Sequence, residues 1–263
     1  PDCIVFGPNM TSLAMLLSRS LADRWKPGDE ILVTRLDHDA NVSPWVHAAR
    51  VAGATVRHVD LNPGDWTLNL DDFHAKLSER TRFLAVGMAS NATGTINPVR
   101  EMISAAHAVG ALTFVDAVHY APHGRISVAD LNCDFLACSA YKFFGPHEGI
   151  LWGRRELLES LRPWKLRPAP DALPGMWMTG TGALEAIAGT AAAVNYLASL
   201  ADLLPQTSPA LTRRQKLDLT FRAITEWERI LSLEMLAGLK SVPGLQIHGI
   251  TDPAQVAGRV PTF

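Results

Sequence analysis

Residues 111–142 read ALTFVDAVHYAPHGRISVADLNCDFLACSAYK, and this stretch decides the fold class. Two apolar runs, residues 111–115 and 134–139, have the length and composition of buried strands. Asp116 directly follows the first run and Lys142 follows the second. In open α/β sheets, ligands bind outside the carboxyl ends of the strands. The stretch therefore predicts an acid and a lysine close together at the ligand-binding edge of a sheet.

The rest of the chain continues this alternation of strands and helices. Strand-like runs fall at residues 3–6, 30–34, 55–59, 82–89 and 149–152. Helical spacing of apolar residues falls at residues 11–25, 43–53, 70–78, 98–109, 155–161, 183–204 and 211–239. The proline-rich residues 163–175 predict a loop. Such an order is typical of an α/β domain with a mostly parallel sheet flanked by helices.

Composition narrows the range of partners. The chain has 263 residues, 48% of them hydrophobic and 19% charged, with a formal net charge of −2. These values predict a globular protein with one sizeable core. They offer no electrostatic attraction for nucleic acid or an anionic membrane. The apolar stretch at residues 187–201 is interrupted by polar residues, and we expect it to be too short and too polar to span a membrane.

Cysteine usage and the two termini lead to two further expectations. Cys3, Cys133 and Cys138 show neither a CxxC pair nor metal-ligand spacing, so we expect reduced thiols in a cytoplasmic protein and no metal site. The chain begins at Pro1 and ends at residues 260–263, VPTF, which resemble the start of another strand. We therefore expect a fragment of a longer protein.

Three polar segments follow predicted strands, and each has two interpretations. Residues 7–12, GPNMTS, join a strand to a helix and suit either a phosphate site or a simple helix cap. His38 suits either stacking on an aromatic cofactor or a surface turn. Asn91, in SNATGT at residues 90–95, suits either a hydrogen bond to a cofactor or a polar turn.

Asp116 and Lys142 indicate that these three segments belong to one cofactor site. A lysine that forms a Schiff base and a carboxylate that keeps a pyridine nitrogen protonated are what pyridoxal phosphate (PLP) chemistry requires. The apolar neighbours of Lys142 predict that it is partly buried, with a lowered pKa. His119 and His123 are spaced as on a helix, but Pro122 and a following glycine favour a loop and argue against a metal pair.

Taken together, these segments resemble the class V aminotransferase family of fold-type I PLP enzymes, and most closely its cysteine desulfurase-like branch. The resemblance extends over nearly the whole chain. It depends most on DHDAN (37–41), SNATGTINP (90–98), VDAVHY (115–120) and SAYK (139–142). It implies a mixed, mostly parallel seven-stranded sheet. It also implies a large PLP domain at residues 1–240 and the start of a truncated small domain at residues 241–263.

The resemblance also implies a role for each matching residue. Lys142 would form the internal aldimine and shuttle protons, Asp116 would pair with the pyridinium nitrogen, and His38 would stack on the ring. The other implied contacts are to the phenolate oxygen, by Asn91 and His119, and to the phosphate, by Met10, Thr11, Ser139 and Tyr141 in this subunit and by Thr181 in the partner of a homodimer.

Two residues depart from the desulfurase pattern, which usually has glutamine at the position of His119 and histidine at that of Tyr141. We expect PLP binding to survive both changes. The favoured reaction is sulfur abstraction from L-cysteine, with the nucleophilic cysteine, the carboxylate-binding arginine and a possible sulfur-acceptor protein all outside this chain. Another class V activity (epimerase, transaminase or kynureninase-like lyase) and a catalytically silent PLP-binding or dimerisation module remain alternatives. Because no GxGxxG or GxxxxGK[ST] motif follows a strand, we do not expect a nucleotide-binding domain.

Overall fold

The computed structural model describes residues 2–263 and contains one sheet of seven strands. The strands are β1 (Ile4–Gly7), β2 (Glu30–Thr34), β3 (Thr55–Val59), β4 (Thr81–Gly87), β5 (Leu112–Asp116), β6 (Phe135–Ser139) and β7 (Gly149–Gly153). Their order across the sheet is β1-β7-β6-β5-β4-β2-β3. Only β7 runs antiparallel to its neighbours. The predicted mixed, mostly parallel sheet is confirmed, and all seven strand-like runs form strands.

Helices cover both faces of this sheet. They are α1 (Met10–Ala22), α2 (Ser43–Ala52), α3 (Leu70–Lys76), α4 (Val99–Ala108), α5 (Val128–Leu131), α6 (Arg155–Ser160), α7 (Leu184–Ser199) and α8 (Arg213–Lys240). The four-residue α5 is the one helix of the described chain that periodicity does not predict. Residues 245–247, an apolar run that follows α8, form no strand.

Alternation along the strands builds one hydrophobic core on each face. Phe83 and Phe114 point to the side of α1 and α2, where they surround the fully buried Trp45 at ring-centroid distances of 4.6 and 4.8 Å. Leu84 and Val115, the next residues in each strand, point to the side of α3 and α4. This alternation follows from the two-residue period of a strand.

Helix α7 lies within the helical stretch predicted at residues 183–204. Together with the turn that follows, it spans Leu184–Leu203, 20 residues with a mean hydropathy of 1.2. By length and composition alone, such a helix is enough to cross a membrane. The expectation that this stretch is too short is therefore wrong. One side of α7 packs on α8, where the Thr220 hydroxyl donates to the Leu197 carbonyl oxygen at 2.9 Å.

The ends of β1, β4, β5 and β6 lie at one edge of the sheet, beside the start of β7. In register, Gly7 pairs with Gly149, Gly149 with Ser139, and Gly87 with Asp116. Gly149 lets the backbone of Asn9, at the start of α1, approach the sheet closely. A Cβ atom at Gly149 would lie 2.3 Å from the carbonyl carbon of Asn9.

We predict that Gly149→Ala destabilises the fold, because the added methyl group meets backbone that cannot rotate away. The expected loss in the free energy of unfolding is about 1–3 kcal/mol, measured by urea denaturation. Gly64→Ala is the matched control, since nothing lies within 4 Å of its added Cβ. Equal midpoints for the two variants would contradict the prediction.

Candidate functional site

The main pocket lies at this edge of the sheet, where the polar segments meet. It has a volume of about 180 Å³. Among the residues that line it are Met10, Thr11, His38, Asn91, Asp116, His119, Ser139, Tyr141 and Lys142. Nine of the ten residues proposed from the sequence therefore lie around one cavity. Thr181, the tenth, is exposed and does not line this pocket.

Asp116 provides a buried carboxyl group with few hydrogen-bond partners. Its Oδ1 atom accepts the Val118 N–H at 2.8 Å, and no other hydrogen bond reaches this carboxyl group among residues 2–263. Burial, and to a smaller extent the nearby Asp37, raise the pKa of Asp116 from its ordinary value near 3.8 to about 7. A carboxyl group in such a place is suited to a cationic N–H group in the pocket.

The start of α1 provides donors for an anion. The Met10 N–H donates to the Ser139 hydroxyl oxygen at 3.1 Å, so this hydroxyl lies against the first turn of the helix. Thr11 adds a second, exposed hydroxyl to the pocket wall. Asn9 caps the helix through Oδ1, which accepts the Ser12 N–H at 2.8 Å. The cap and the phosphate site are therefore compatible interpretations of the same segment.

Lys142 lies in the pocket wall on a short 3-10 turn, Ala140–Phe143, directly after β6. The side chain is exposed, so the prediction of partial burial is wrong. The apolar neighbours in the sequence explain the error, because Phe135 and Leu136 point into the two cores and Phe143 joins a third apolar cluster. The amine instead lies above the Tyr141 ring, 5.4 Å from its centroid.

His38 lies in an exposed turn that a buried network supports. Its Nδ1 atom accepts the Ala40 N–H at 3.0 Å, which leaves the proton of the neutral ring on Nε2. The preceding Asp37 accepts the Thr34 hydroxyl at 2.6 Å and the Asn41 amide at 3.1 Å. Burial raises the pKa of Asp37 to about 6. Sequence reasoning missed Asp37 as a pocket residue, although its position just past β2 was an available signal.

His119 is half-buried at the opposite wall of the pocket. Burial, together with the nearby His123 and Lys142, lowers the pKa of His119 to about 4, so its ring is neutral at neutral pH. Residues 118–124 form turns rather than a helix, as predicted, but they still bring the two histidine rings to a centroid distance of 5.6 Å.

Taken as a donor set, the pocket fits PLP. A buried carboxyl group with a single hydrogen bond, a helix N-terminus with two hydroxyls, and an exposed amine correspond to the pyridine nitrogen, the phosphate and the aldehyde of that cofactor. In addition, a Cβ atom at Gly87 would lie 2.4 Å from the Asp37 carboxylate, so a side chain at this pocket position would displace Asp37.

Comparison with known proteins identifies the family. Residues 1–204 match the family model for aminotransferase class-V. The chain belongs to the aminotransferase class-V family. The resemblance of its motifs to class V PLP enzymes is thereby confirmed.

Individual relatives point to one branch of this family. The chain is 34% identical over 260 residues to a cysteine desulfurase of Pectobacterium carotovorum, covering 94% of this chain and 59% of the relative. It is 35% identical over 212 residues to a probable cysteine desulfurase of Pseudomonas aeruginosa, covering 76% of this chain and 53% of the relative. A crystal structure of a cysteine desulfurase from Escherichia coli superposes with a TM-score of 0.81 at 27% identity, covering 96% of this chain and 62% of that one. The chain thus spans about three fifths of the length of such relatives.

We predict that Asp116→Asn stabilises the cofactor-free protein at pH 8. The raised pKa means that the folded state retains a proton that the unfolded chain releases, so the free energy of unfolding falls as the pH rises from about 4 to about 7. Above pH 7 the ionised Asp116 lowers the free energy of unfolding by its full amount. The uncharged amide does not ionise, so the Asp116→Asn variant should gain on the order of 2–4 kcal/mol in the free energy of unfolding. Urea denaturation at several pH values measures the effect.

The control is Asp23→Asn, which changes an exposed aspartate outside the pocket. It should leave the pH dependence of the unfolding free energy as in the parent protein. A variant at position 116 that keeps the parental slope between pH 4 and 7 would show that this carboxyl group does not titrate as described.

Proposed function

We propose that the main pocket binds PLP and that the full-length protein is a cysteine desulfurase-like enzyme. The observation that carries this proposal is the pairing of the exposed Lys142 amine with the buried Asp116 carboxyl group across one pocket. Family membership and relatives that are cysteine desulfurases over most of this chain support it.

PLP, when bound, supplies an aldehyde that condenses with amines and a ring that draws electrons from the substrate Cα. The Lys142 amine would hold the cofactor covalently and would move the proton at the substrate Cα. Asp116 would hold a proton at the ring nitrogen. Since the carboxyl group is buried, a cationic partner is its main source of compensation, and the ion pair would return the pKa of Asp116 below 7.

The remaining pocket residues orient the cofactor. We assign the phosphate to the Met10 N–H, to the hydroxyls of Thr11 and Ser139, and to Tyr141. His38 would cover one face of the ring. Asn91, which makes no side-chain hydrogen bond to residues 2–263, and the neutral His119 would face the ring oxygen.

Sulfur transfer in such an enzyme needs a reactive thiol. The overall reaction would convert L-cysteine and an acceptor thiol into alanine and a persulfide of that thiol. Burial raises the pKa of both Cys133 and Cys138 to about 12, so neither provides a thiolate at neutral pH. Cys3, the third cysteine, does not line the pocket. We therefore place the nucleophilic cysteine outside residues 1–263, with a sulfur-acceptor protein as the final partner. The free cysteines also support our proposal of a cytoplasmic location.

A homodimer would place Thr181 at the pocket of the partner subunit. Its exposure outside its own main pocket is consistent with this role. Large apolar side chains nearby and on α8 also lack cover, since Leu184 is 71% exposed and Trp227 is 61% exposed. Exposed apolar surface of this kind is typical of protein interfaces.

We predict that the full-length protein retains the visible absorption band of lysine-bound PLP after desalting, and that Lys142→Ala abolishes it because no other amine lines the described pocket. Lys26→Ala, which changes an exposed lysine outside the pocket, is the control and should keep the band. A band that persists in Lys142→Ala would move the covalent attachment to another lysine.

The same preparations test the reaction. With L-cysteine and a reducing thiol, the loaded enzyme should release alanine and sulfide in equal amounts. A racemised amino acid, a keto acid or a cleaved side chain from other amino acids would assign one of the other class V activities. Retained PLP without turnover of any amino acid would indicate a silent PLP-binding module.

We predict that Thr181→Glu weakens PLP binding, because the added charge would repel the phosphate across the dimer. Co-expressed Thr181→Glu and Lys142→Ala subunits should regain one native pocket per mixed dimer, with Lys142 from one subunit and Thr181 from the other. A PLP titration of the purified mixed dimer measures this recovery. If Thr181→Glu binds PLP like the parent, the cross-subunit contact is wrong.

A further inference from the structure

His119 is held in place by a residue 143 positions further along the chain. Its Nε2 atom and the Thr262 hydroxyl oxygen lie 2.7 Å apart. The motifs of the sequence analysis include His119 but not Thr262. The contact joins the pocket wall to the last residues of the chain.

Thr262 is itself fixed by the backbone around it. The Val260 N–H donates to the Gly94 carbonyl oxygen at 2.9 Å, beside the SNATGT turn. The buried Arg259 guanidinium donates to the carbonyl oxygens of Thr262 and of Ile250. A segment anchored at these points holds the hydroxyl in one position relative to His119.

The other side of the His119 ring is also occupied. His123 packs against it edge to face, and the His123 Nδ1 atom lies 2.9 Å from a carboxylate oxygen of Glu228 on α8. The charged groups that bear on the two rings are Glu228, Lys142 and the histidines themselves. This packing leaves the His119 ring little freedom to turn away from Thr262.

A neutral histidine ring has a single proton, on one nitrogen or the other. In His119, Nε2 has the Thr262 hydroxyl as its partner, and no hydrogen bond to Nδ1 is found among residues 2–263. A hydroxyl can donate or accept, so the Thr262 contact is compatible with either tautomer. Only the tautomer with the proton on Nδ1 lets the ring donate a hydrogen bond from Nδ1 while Nε2 accepts from Thr262.

We propose that the Thr262 hydroxyl donates to Nε2 of His119 and so keeps the proton on Nδ1, the nitrogen that then donates to the ring oxygen of the cofactor. Thr262 is thereby a positioning residue that acts through His119. The ring oxygen and the choice of tautomer rest on the proposed function, whereas the contact between Thr262 and His119 does not depend on it.

Ring-nitrogen chemical shifts of the full-length protein labelled with ¹⁵N-histidine test the tautomer directly, without cofactor. The parent protein and Thr262→Ser should show His119 protonated on Nδ1, whereas Thr262→Val, which has the same shape but no hydroxyl, should shift the population toward Nε2. Thr225→Val is the matched control, because that hydroxyl donates to the His123 backbone carbonyl rather than to a ring. An Nε2 proton in the parent, or unchanged shifts in Thr262→Val, would overturn the proposal.

PLP titration of the same proteins provides the second readout. Loss of one donor at the ring oxygen should weaken PLP binding about fivefold to tenfold in Thr262→Val, with recovery in Thr262→Ser. Equal affinities for the parent and Thr262→Val would overturn the link from Thr262 to the cofactor. Failure of the parent itself to retain PLP would refute the proposed function, while the tautomer would still be decided by the chemical shifts.

Discussion

The burial of the Asp116 carboxyl group is the constraint on which the architecture of the site depends. A carboxylate at the end of a central strand loses most of its hydration, and a single backbone N–H does not replace it. The nearby Asp37 further disfavours the ionised form of Asp116 through like-charge repulsion. Two acids in such proximity favour a cation in the pocket between the strand ends. The cofactor-free protein is therefore less stable than it would be without the buried acid, a trade-off that is common at functional sites.

The fold could be predicted because every level of the sequence agrees with it. Apolar runs of strand length alternate with helical periodicity, and residues such as Phe114 and Val115 divide cleanly between the two cores. The short helix α5 was not predicted, because four residues are too few to show helical periodicity. The division at residue 240 into a large and a small domain stays a prediction.

The site was less predictable than the fold, for reasons that differ among its residues. Asp116, His119 and Lys142 follow strands, and residues there converge at one edge, so proximity could be inferred from order alone. The exposure of Lys142 could not be inferred from the sequence. Its apolar neighbours point to both faces of the sheet, whereas the lysine lies on a turn beyond the strand. Thr262 carries no local signal, since its contact with His119 depends on how the chain returns after α8.

That return gives the site a property that no single motif provides. The Arg259 guanidinium is buried among residues 2–263 without a carboxylate partner, and it binds backbone carbonyls on both sides of the turn. The two carbonyl oxygens compensate this buried charge, so a shift of the segment would leave guanidinium N–H groups without acceptors, and this cost holds the segment in place. The same segment contacts the SNATGT turn through Gly94 and His119 through Thr262. The pocket wall that contains Asn91 and the wall that contains His119 are therefore joined by one anchored backbone segment. A shift of that segment would move both candidate donors to the ring oxygen together.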